Sequence, residues 1–385
     1  MASSVEKEFL RRLALWRHPE DESDWTQATP GFCLQAFQGG RRKLDLAVGT
    51  TSEIYDWASV TKIVFGVSAL MYEVEAGNLG LRDRLMDWFP ELEEDIVKAQ
   101  VTDLRIRDLL THSAGMTWWK PFYKSVEKKQ PHDHEEAWVA LTQVLLRDVK
   151  TRLRNGDLKR ARKGPAVYSD LDFLLLGEVL RRSSLEPLPD CYERVRKRLD
   201  LRETFFHATG AQARGLVPPG CVTAKSRRKM TAPTEYDDRK GRVLQAEVHD
   251  ENAASLFGIS THAGLFGPIE DLSRYGRELR NLVRAERSKL PAAGASFLKR
   301  AVPKARGDWA MGFMMPTART GSAGPRFSAT SIGHTGFTGT SLWYDPKLDL
   351  LVTILSNRVH PTRANTRFVK LRPALHTMVV ESLSL

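Results

Sequence analysis

Alternating apolar and polar residues predict β-structure near both ends of the chain. The segment GFCLQAFQGGRRKLDLAVG alternates on either side of Gly39-Gly40, which is the pattern of a β-hairpin over residues 31–49. Towards the C-terminus, TSLWYDPKLDLLVTILSN predicts two more strands around a DPKLD turn. The second of these is almost wholly apolar, as a central strand is. The two pairs of strands predict one sheet that the C-terminal segment completes.

Helical spacing of apolar residues dominates elsewhere in the chain. An amphipathic segment opens the chain, a second helix ends near the glycine stop signal at Gly77, and the pattern is then mostly helical to about Ser184. The segments DLSRYGRELRNLVRAE and RANTRFVKLRPALHTMVVESL predict two late helices. From Pro187 to Glu247 the pattern loosens around prolines, glycines and the basic stretch KSRRKM.

This order of elements predicts an α/β protein whose antiparallel sheet is flanked by helices. Residues 1–75 and 248–385 are predicted to form a discontinuous α/β sheet domain, and residues 76–247 a mainly helical subdomain inserted into it. The chain has 385 residues, which is enough for one large or two ordinary domains with a real core.

Composition indicates a globular protein, because 42% of the residues are hydrophobic and 27% are charged. The sequence has no run of about eighteen uncharged apolar residues, so no transmembrane helix is predicted. The formal net charge of +11 favours anionic partners in general. Nucleic acids, membrane surfaces and carboxylate substrates all fit that charge, which does not choose among them.

The N-terminal segment and the cysteines bear on the compartment. The N-terminus is amphipathic and lacks the apolar core of an export signal, so the sequence as written predicts a cytoplasmic protein. If an export segment preceded it, the protein would be periplasmic. Cys33, Cys191 and Cys221 are scattered and form neither a disulfide framework nor a zinc motif, which suits a reducing compartment.

The segment DWASVTKIVFG holds the first candidate for chemistry. Residues three apart lie on one face of a helix, so Ser59 and Lys62 should be neighbours in space. A serine hydroxyl beside an amine that has lost its proton is an activated nucleophile. A serine at the start of a helix, followed by a solvated lysine, gives the same pattern.

Two later elements favour the catalytic interpretation. Tyr168-Ser-Asp170 and His334-Thr-Gly336 follow Ser59-Val-Thr-Lys62 in the order of the S-x-x-K, S-D-N and K-T-G motifs. With the flanks RIRDLLTHSAGM, AVYSDLDFLLLGEVL and GHTGFTGTSLWYDPKLDLLVTILSNRVHP, this chain resembles the class C β-lactamase and serine DD-carboxypeptidase/esterase family. The resemblance covers about residues 30–360 and implies the β-lactamase/DD-peptidase-like fold.

The resemblance implies a role for each member of the first two motifs. Ser59, near a helix N-terminus, would be the nucleophile, since that end of a helix favours negative charge. Lys62 would be the general base, because desolvation disfavours the ammonium form. Tyr168 would pass a proton between nucleophile and leaving group, although a core tyrosine that starts an apolar helix fits the pattern too.

Asp170 stands where the family's motif more commonly has asparagine. A carboxylate only accepts hydrogen bonds, whereas an amide both donates and accepts them. An ionised Asp170 would therefore hold Lys62 more firmly charged and weaken it as a base. Asp170 is also expected to take part in substrate binding or to serve as the N-cap of the helix that follows.

The third motif carries histidine where β-lactamases usually have lysine. His334 makes this chain more like the DD-carboxypeptidases and esterases of the family, which implies a catalytic role in which it helps Tyr168 to protonate the leaving group. A neutral imidazole can accept or relay a proton near pH 7, but it anchors a substrate carboxylate less firmly than a lysine does. Thr335 and Gly336 would lie on an edge strand that binds substrate. The backbone N–H groups of Phe337 and Ser59 would form the oxyanion hole. A glycine-rich turn before a strand is the alternative account of this motif.

Other chemistry-bearing segments rank lower. The composition of HDHEE, His132–Glu136, suits a metal ion, but consecutive residues seldom converge on one ion, so a solvated helix start is favoured. The segment 248–253 and His262 are expected to shape a loop near the cleft, and His112 to be a structural histidine. The basic run 150–164 could steer anions or touch nucleic acid, but without interleaved aromatics a solvated face is favoured. Trp118 and Trp119 fit either a cleft wall or core packing.

The sequence therefore predicts a serine hydrolase that forms an acyl-enzyme on Ser59. The substrate is expected to be a small ester or a D-amino-acid-type amide such as a cell-wall peptide fragment. No metal, cofactor or nucleic-acid partner is expected, and the pattern predicts no particular oligomeric state. A true β-lactamase and a non-catalytic binding or sensor protein on the same fold are the alternatives.

Overall fold

The structure is a computed structural model that describes residues 3–208, 218–317 and 321–385. Part of the loosely patterned segment from Pro187 to Glu247 therefore lies outside the described residues. The strands are β1 (Gly31–Gln38), β2 (Arg41–Gly49), β3 (Tyr55–Asp56), β4 (Phe205–Ala208), β5 (Cys221–Thr223), β6 (Tyr236–Asp237), β7 (Arg242–Val243), β8 (Leu265–Gly267), β9 (Ile332–Thr335), β10 (Ser341–Asp345) and β11 (Leu350–Ser356).

The helices are more numerous than the strands. They are α1 (Ser4–Ala14), α2 (Ser68–Glu75), α3 (Leu85–Trp88), α4 (Glu93–Ala99), α5 (Ile106–Leu110), α6 (Tyr123–Glu127), α7 (His134–Arg154), α8 (Asp157–Ala161), α9 (Asp170–Ser184), α10 (Leu188–Arg198), α11 (Ala224–Arg227), α12 (Glu251–Ser255), α13 (Ile269–Val283) and α14 (Arg367–Ser382). Within the described ranges, none is both long enough and apolar enough to cross a membrane.

The main sheet has the strand order β2-β1-β11-β10-β9, and every neighbouring pair is antiparallel. The predicted hairpin is confirmed as β1 and β2, which turn at Gly39 and Gly40 in left-handed conformations. The predicted C-terminal strands are confirmed as β10 and β11, and β11 is the central strand of the five. The predicted fold class, an antiparallel sheet flanked by helices, is therefore confirmed.

The strand β11 is apolar throughout because both of its faces are covered. Val352 and Ile354 pack with α1 and α14 in one core, whereas Leu351 and Leu355 pack with α13 in another. Side chains of a strand alternate between its two faces, so a strand between two helical layers has no polar side. The result is three layers, with α1 and α14 on one face and α13 on the other.

A smaller sheet links distant parts of the chain. Its order is β3-β8-β4-β5, so β4 and β5, from the segment predicted to be an insertion, pair onto β8 and β3. The division of the chain at residues 76 and 248 stays a prediction. The helices from α2 to α10 pack around the extensive core that also contains β8 and α13.

The predicted helix around Ser59 is not a regular α-helix at its start. Residues Ala58–Val60 form a 3₁₀ turn, Lys62–Val67 form a π-helical segment, and α2 follows directly. In the π-helical segment each bond spans five residues, and the hydroxyls of Ser68 and Tyr275 both donate to the Ile63 carbonyl, at 3.0 and 2.9 Å. Irregular helical turns of this kind are frequent at functional sites.

Candidate active site

Ser59 and Lys62 are neighbours, as their spacing predicts. The Lys62 Nζ donates to Ser59 Oγ at 3.0 Å, and Ser59 itself is half-buried while Lys62 is completely buried. Two hydrogen bonds hold the segment around Ser59 against Leu265 of β8. The Trp57 N–H donates to the Leu265 carbonyl at 2.9 Å, and Thr61 Oγ1 accepts from the Leu265 N–H at 3.1 Å. The hydroxyl is thus open to solvent on one side and contacted by an amine on the other.

The ammonium of Lys62 has two further acceptors. It donates to Asp170 Oδ1 at 2.6 Å and to the backbone carbonyl of His262 at 2.9 Å. With the bond to Ser59 Oγ, all three N–H groups are used. Each of these three bonds comes from a different part of the chain, so the fold gathers Ser59, Asp170 and His262 around one buried nitrogen.

Tyr168 completes the contacts of the serine hydroxyl. Its phenol donates to Ser59 Oγ at 2.7 Å, and its ring lies partly exposed just before α9. Burial of the phenol, together with the negative charge of Asp170, raises the pKa of Tyr168 well above its usual value. The group is therefore a neutral phenol that can donate a proton, and the structure brings it to Ser59 as the sequence predicted.

His112 packs directly behind Tyr168, a contact that the sequence did not reveal. Its ring lies 4.9 Å from that of Tyr168 and 4.5 Å from that of Trp309, while its Nδ1 lies 3.0 Å from Asp172 Oδ2. His112 also adopts a left-handed φ of 54°, and the backbone N–H of Ser169 points at its Nδ1. The buried His112–Asp172 pair thus fixes the position of the Tyr168 segment.

Burial disfavours the charged form of both groups in this pair. Burial, with the nearby charge of Lys62, lowers the pKa of His112 well below its usual value. Burial, with the charges of Asp108 and Asp170, raises the pKa of Asp172 well above its own. The sequence interpretation of His112 as a structural histidine agrees with its burial but did not extend to its contact with Tyr168.

Asp170 is the first residue of α9, and its expected role as the N-cap is wrong. The N-cap is Ser169, whose hydroxyl accepts from the backbone N–H groups of Leu171 and Asp172 at 3.1 and 3.3 Å. Serine is among the best N-cap residues. Because Ser169 caps the helix, the Asp170 carboxylate is left to contact Lys62 and to line the cleft.

His334 lies on β9, at the edge of the main sheet. Its Nδ1 lies 2.8 Å from the Thr335 carbonyl, so Nδ1 carries the proton, and its buried Nε2 has no hydrogen-bond partner among the described residues. Burial and the charge of Lys62 lower the pKa of His334 to about 3. The imidazole is therefore neutral near pH 7 and turns an unpaired acceptor into the cleft.

Hydrogen bonds join the residues after β9 to the segment that precedes Ser59. Thr338 Oγ1 donates to the Asp56 carbonyl at 2.7 Å, and Thr340 Oγ1 donates to the Trp57 carbonyl at 2.9 Å. A Cβ on Gly336 would lie only 2.6 Å from the Trp57 carbonyl oxygen, so glycine permits this close approach. The structure therefore places the backbone of Gly336 beside Trp57 and Ala58, just before Ser59.

The backbone before Ser59 is strained. Ala58 has a left-handed φ of 47°, which is unusual for a residue with a side chain. Its N–H donates to Asp56 Oδ1 at 2.8 Å, and the other carboxylate oxygen accepts from the His249 N–H at 2.8 Å. Burial raises the pKa of Asp56 to about 6. This carboxylate joins the serine turn to the loop that carries His249.

A cavity of about 600 Å³ opens onto Ser59. The chemistry-bearing residues that line it are Ser59, Tyr168, Asp170, His249, Asp250, Glu251, His262, His334, Thr335, Gly336, Phe337, Arg358, Arg363 and Arg372. Trp118 and Trp119 also line it, with their rings 6.0 Å apart and Trp118 62% exposed. The two tryptophans thus belong to the cleft wall rather than to the core.

Two buried arginines in this cavity have no carboxylate partner among the described residues. Arg358 donates to the carbonyls of Phe337 and Asn365, at 2.8 and 2.9 Å, and Arg372 donates to the Gly336 carbonyl at 3.2 Å. The Nε of Arg372 has no partner there, and burial with the charge of Arg358 lowers its pKa to about 9. Sequence analysis missed both arginines, because their burial depends on the packing of α14 against the loop after β9.

Asp250 and His262 also line the cavity, as the sequence expectation of a loop near the cleft suggested. His262 Nε2 lies 2.8 Å from Asp250 Oδ1, and its Nδ1 lies 2.6 Å from the hydroxyl of Ser260. Although burial opposes ionisation, the charge and hydrogen bond of His262 lower the pKa of Asp250 to about 2. Asn252 fixes this loop to the tryptophan loop, since its side chain bonds the backbone of Lys120 and Tyr123, each at 2.9 Å.

The segment His132–Glu136 and the basic run 150–164 do not line this cavity. Asp133 is the N-cap of α7, as a helix start requires, and His134 is buried with its Nε2 near the Ile259 carbonyl. In the described part of the chain, no three metal-binding side chains converge. The basic run 150–164 covers the end of α7 and α8, where Arg154 and Arg162 pair with acidic residues. Its lack of a nucleic-acid role stays a prediction.

The fold is that of the β-lactamases and penicillin-binding proteins. The chain belongs to the β-lactamase family, whose model matches residues 14–374. Among curated relatives, it is 27% identical to an N-acetylmuramyl-L-alanine amidase of Bacillus subtilis over 325 residues, which cover 80% of this chain and 69% of the relative.

Two further comparisons agree with this membership. The chain is 27% identical over 330 residues to a putative D-alanyl-D-alanine carboxypeptidase of Salmonella gallinarum, covering 83% of this chain and 72% of the relative. Among solved structures, a class C β-lactamase from Rhodobacter sphaeroides superimposes with a TM-score of 0.60 at 15% identity, covering 98% of this chain and all of that one. The second of these comparisons shows a shared fold.

Proposed function

We propose that the protein is a serine hydrolase that acts through an acyl-enzyme on Ser59. One observation supports this above all: Ser59 Oγ accepts hydrogen bonds from both Lys62 Nζ, at 3.0 Å, and Tyr168 Oη, at 2.7 Å, at the floor of an open cavity. A nucleophile within hydrogen-bond reach of its proton acceptor, which is itself oriented by a third group, is the arrangement of nucleophilic catalysis.

The first step needs an acceptor for the serine proton. All three N–H groups of Lys62 are engaged, so Lys62 must release one proton as it takes another. Asp170 is the acceptor for that proton, because its carboxylate lies 2.6 Å from Nζ. The proton of Ser59 passes to Lys62 while Lys62 gives one to Asp170, and Ser59 Oγ forms a bond to the carbonyl carbon of the substrate.

The negative charge then rests on the former carbonyl oxygen. The backbone N–H groups of Ser59 and Phe337 are the proposed donors to it, since the loop after β9 is pinned against the serine turn. Tyr168 gives its proton to the leaving group as the bond to the carbonyl carbon breaks, and it is reprotonated by Lys62, which recovers a proton from Asp170. Water then adds to the carbonyl carbon of the acyl group and gives one proton to the same groups. The bond from that carbon to Ser59 Oγ breaks, the proton passes to Ser59 Oγ, and the carboxylic acid product leaves.

The substrate class follows from the charges in the cleft. His334 is neutral and cannot replace the ammonium of a lysine, but Arg358 and Arg372 are unpaired cations at the same end of the cavity. They suit a substrate with a carboxylate, such as a peptide that ends in a D-amino acid. The carboxypeptidase among the relatives is compatible with this substrate. An ester of similar shape would react by the same steps.

One set of measurements distinguishes the proposed hydrolase from a β-lactamase and from a non-catalytic binding protein. Intact-mass analysis after exposure to β-lactams, p-nitrophenyl esters and D-alanyl-D-alanine peptides should show an adduct of Ser59 with at least one class. Turnover should be fastest with the esters or peptides, and slow with nitrocefin because His334 carries no charge. The absence of any adduct on the folded protein would favour the binding role.

Ser59→Ala removes the nucleophile, so we expect it to lose the adduct and to lower turnover of the best substrate by at least about a thousandfold. Adduct mass and steady-state rates measure both effects. Thermal unfolding of the variant is the control, because Ser59 is half-buried and the fold should persist. Turnover by Ser59→Ala at the parental rate would contradict the mechanism.

A further inference from the structure

We infer that Asp250 is a binding site for a substrate ammonium group, so that the cleft selects substrates with a free amine close to the scissile carbonyl. This inference deepens the proposed function and rests on it. It concerns the wall of the cavity formed by the loop before α12, which no part of the proposed proton transfer uses.

The hydrogen bonds of Asp250 leave half of its carboxylate free. Oδ1 accepts from the Ala253 N–H at 2.8 Å and lies 2.8 Å from His262 Nε2. No described residue donates to Oδ2, and the side chain keeps 19% of its surface exposed, on the lining of the cavity. An anionic oxygen with free acceptor positions in a half-enclosed cleft is suited to a charged N–H donor.

The protein supplies a charged donor, His262, to Oδ1 only and none to Oδ2 among the described residues. Lys62 lies close enough to favour the ionised form of Asp250, but its three N–H groups are taken by Ser59, Asp170 and the His262 carbonyl. Arg363, the other nearby cation on this side, is bound to Glu235 and Glu251. Oδ2 of Asp250 is therefore the carboxylate oxygen that is available to a ligand.

Other residues on the lining of the cavity give a second, independent sign of a charged ligand. Arg372 is only 6% exposed, lines the cavity, and has an Nε without a partner among the described residues. The neighbouring His334 Nε2 is likewise buried and unpartnered. The lining of the cavity thus holds an unpaired guanidinium N–H, an unpaired imidazole acceptor and a half-free carboxylate, together with Ser59.

The apolar part of the wall fits the same ligand. Trp118 and Trp119 lie on the loop that Asn252 ties to the Asp250 loop, and Trp118 is largely exposed to the cleft. Aromatic faces attract cations and also cover the short side chain of an amino acid. The expected substrate is therefore a zwitterion: a D-amino acid with a free ammonium as the acyl part and a carboxylate-bearing leaving group.

The test separates binding from catalysis by using the Ser59→Ala background. Titration calorimetry would compare D-alanyl-D-alanine with its N-acetyl derivative, which differs at the amine and lacks its positive charge. We expect Ser59→Ala to bind the free dipeptide at least about tenfold more tightly, since a charge-assisted hydrogen bond is lost on acetylation. In Ser59→Ala/Asp250→Asn this preference should disappear.

Two outcomes would overturn the ammonium site: equal or tighter binding of the N-acetyl dipeptide, and a preference that survives Asp250→Asn. Failure of the free dipeptide to bind at millimolar concentration would do the same. Asn is as good an N-cap as Asp, so α12 should persist. Asp133→Asn, at the exposed N-cap of α7, is the matched control and should keep the tenfold preference. Because Ser59 is absent from this test, its result is independent of whether the parent enzyme turns over any substrate.

Discussion

The hydrogen bonds of Lys62 determine how Ser59 could become a nucleophile. An ammonium whose three protons are all donated has no free acceptor site, so it can receive the proton of Ser59 only if another acceptor takes one away. The His262 carbonyl is a poor proton acceptor, whereas the Asp170 carboxylate is a good one. The sequence suggested that an ionised Asp170 would weaken Lys62 as a base, and that effect stays a prediction. The proposed proton transfer needs Asp170 as the acceptor, and the distance of 2.6 Å from Nζ to Oδ1 is within reach of it.

Asp170→Asn tests this role. The amide still accepts a hydrogen bond from Lys62 but cannot take its proton, so we expect the rate of Ser59 acylation to fall by at least about tenfold at pH 7. The rate of adduct formation, followed by intact mass, measures the effect. Thermal unfolding would show whether the variant is folded. An acylation rate equal to or above that of the parent would mean that Asp170 does not act as a proton acceptor.

At the scale of elements, two backbone segments bring the reacting groups together. The serine turn runs from 3₁₀ to π-helical geometry, and the loop after β9 lies against it through Thr338 and Thr340. The spacing of Ser59 and Lys62 was enough to predict that they are neighbours. The irregular turn was not predictable, because it depends on Tyr275 and Ser68, whose hydroxyls donate to one carbonyl in the folded chain.

Gly336→Ala tests whether this contact between elements sets the geometry for catalysis. The φ of Gly336 is not left-handed, so the effect of the methyl is steric: it would lie 2.0 Å from Thr340 Oγ1 and 2.6 Å from the Trp57 carbonyl oxygen. The loop must then move away from Ser59, and we expect acylation to fall by at least about tenfold, with some loss of stability.

Gly164→Ala is the matched control for this substitution. A Cβ on Gly164 would meet the Ala161 carbonyl oxygen at 3.4 Å, an ordinary contact distance, and Gly164 does not line the cavity. Its acylation rate should therefore equal that of the parent. If Gly336→Ala also acylates at the parental rate, the close packing of Gly336 against the serine turn is not what positions the oxyanion donors.

At the scale of the whole molecule, the sequence was enough to predict the elements that have a periodic pattern of apolar residues. It was not enough to predict which polar residues the fold buries. Local patterns in the sequence predict the hairpin, the two C-terminal strands and the three motifs. The folded chain brings these motifs together in the cleft. Arg358, Arg372 and His112 carry no local signal, because a charged or polar residue becomes unusual only when the fold buries it. The irregular helical turn at Ser59 also depends on contacts that exist only in the folded chain.

Buried histidines make the stability of the whole molecule depend on pH. Four of them have pKa values below the usual value of about 6.5, and burial is the first cause in each case. They are His112, well below that value, His207 at about 4, and His334 and His376 at about 3. Between pH 6.5 and about 4 the unfolded chain binds protons at these positions and the folded chain does not. Since stability rises with pH wherever the unfolded state binds more protons, these groups destabilise the protein as the pH falls.

Two buried carboxyl groups act in the opposite direction over part of this range. The pKa of Asp56 is raised to about 6 and that of Asp172 is raised well above its usual value, so the folded state holds protons there that the unfolded state has lost. The four histidines outnumber them, and we expect the midpoint of thermal unfolding to fall by at least about 5 °C between pH 7 and pH 4.5. His376→Gln removes one of the four groups far from Ser59 and should make that fall smaller. A midpoint that stays constant or rises on acidification would show that these histidines are protonated within the folded protein.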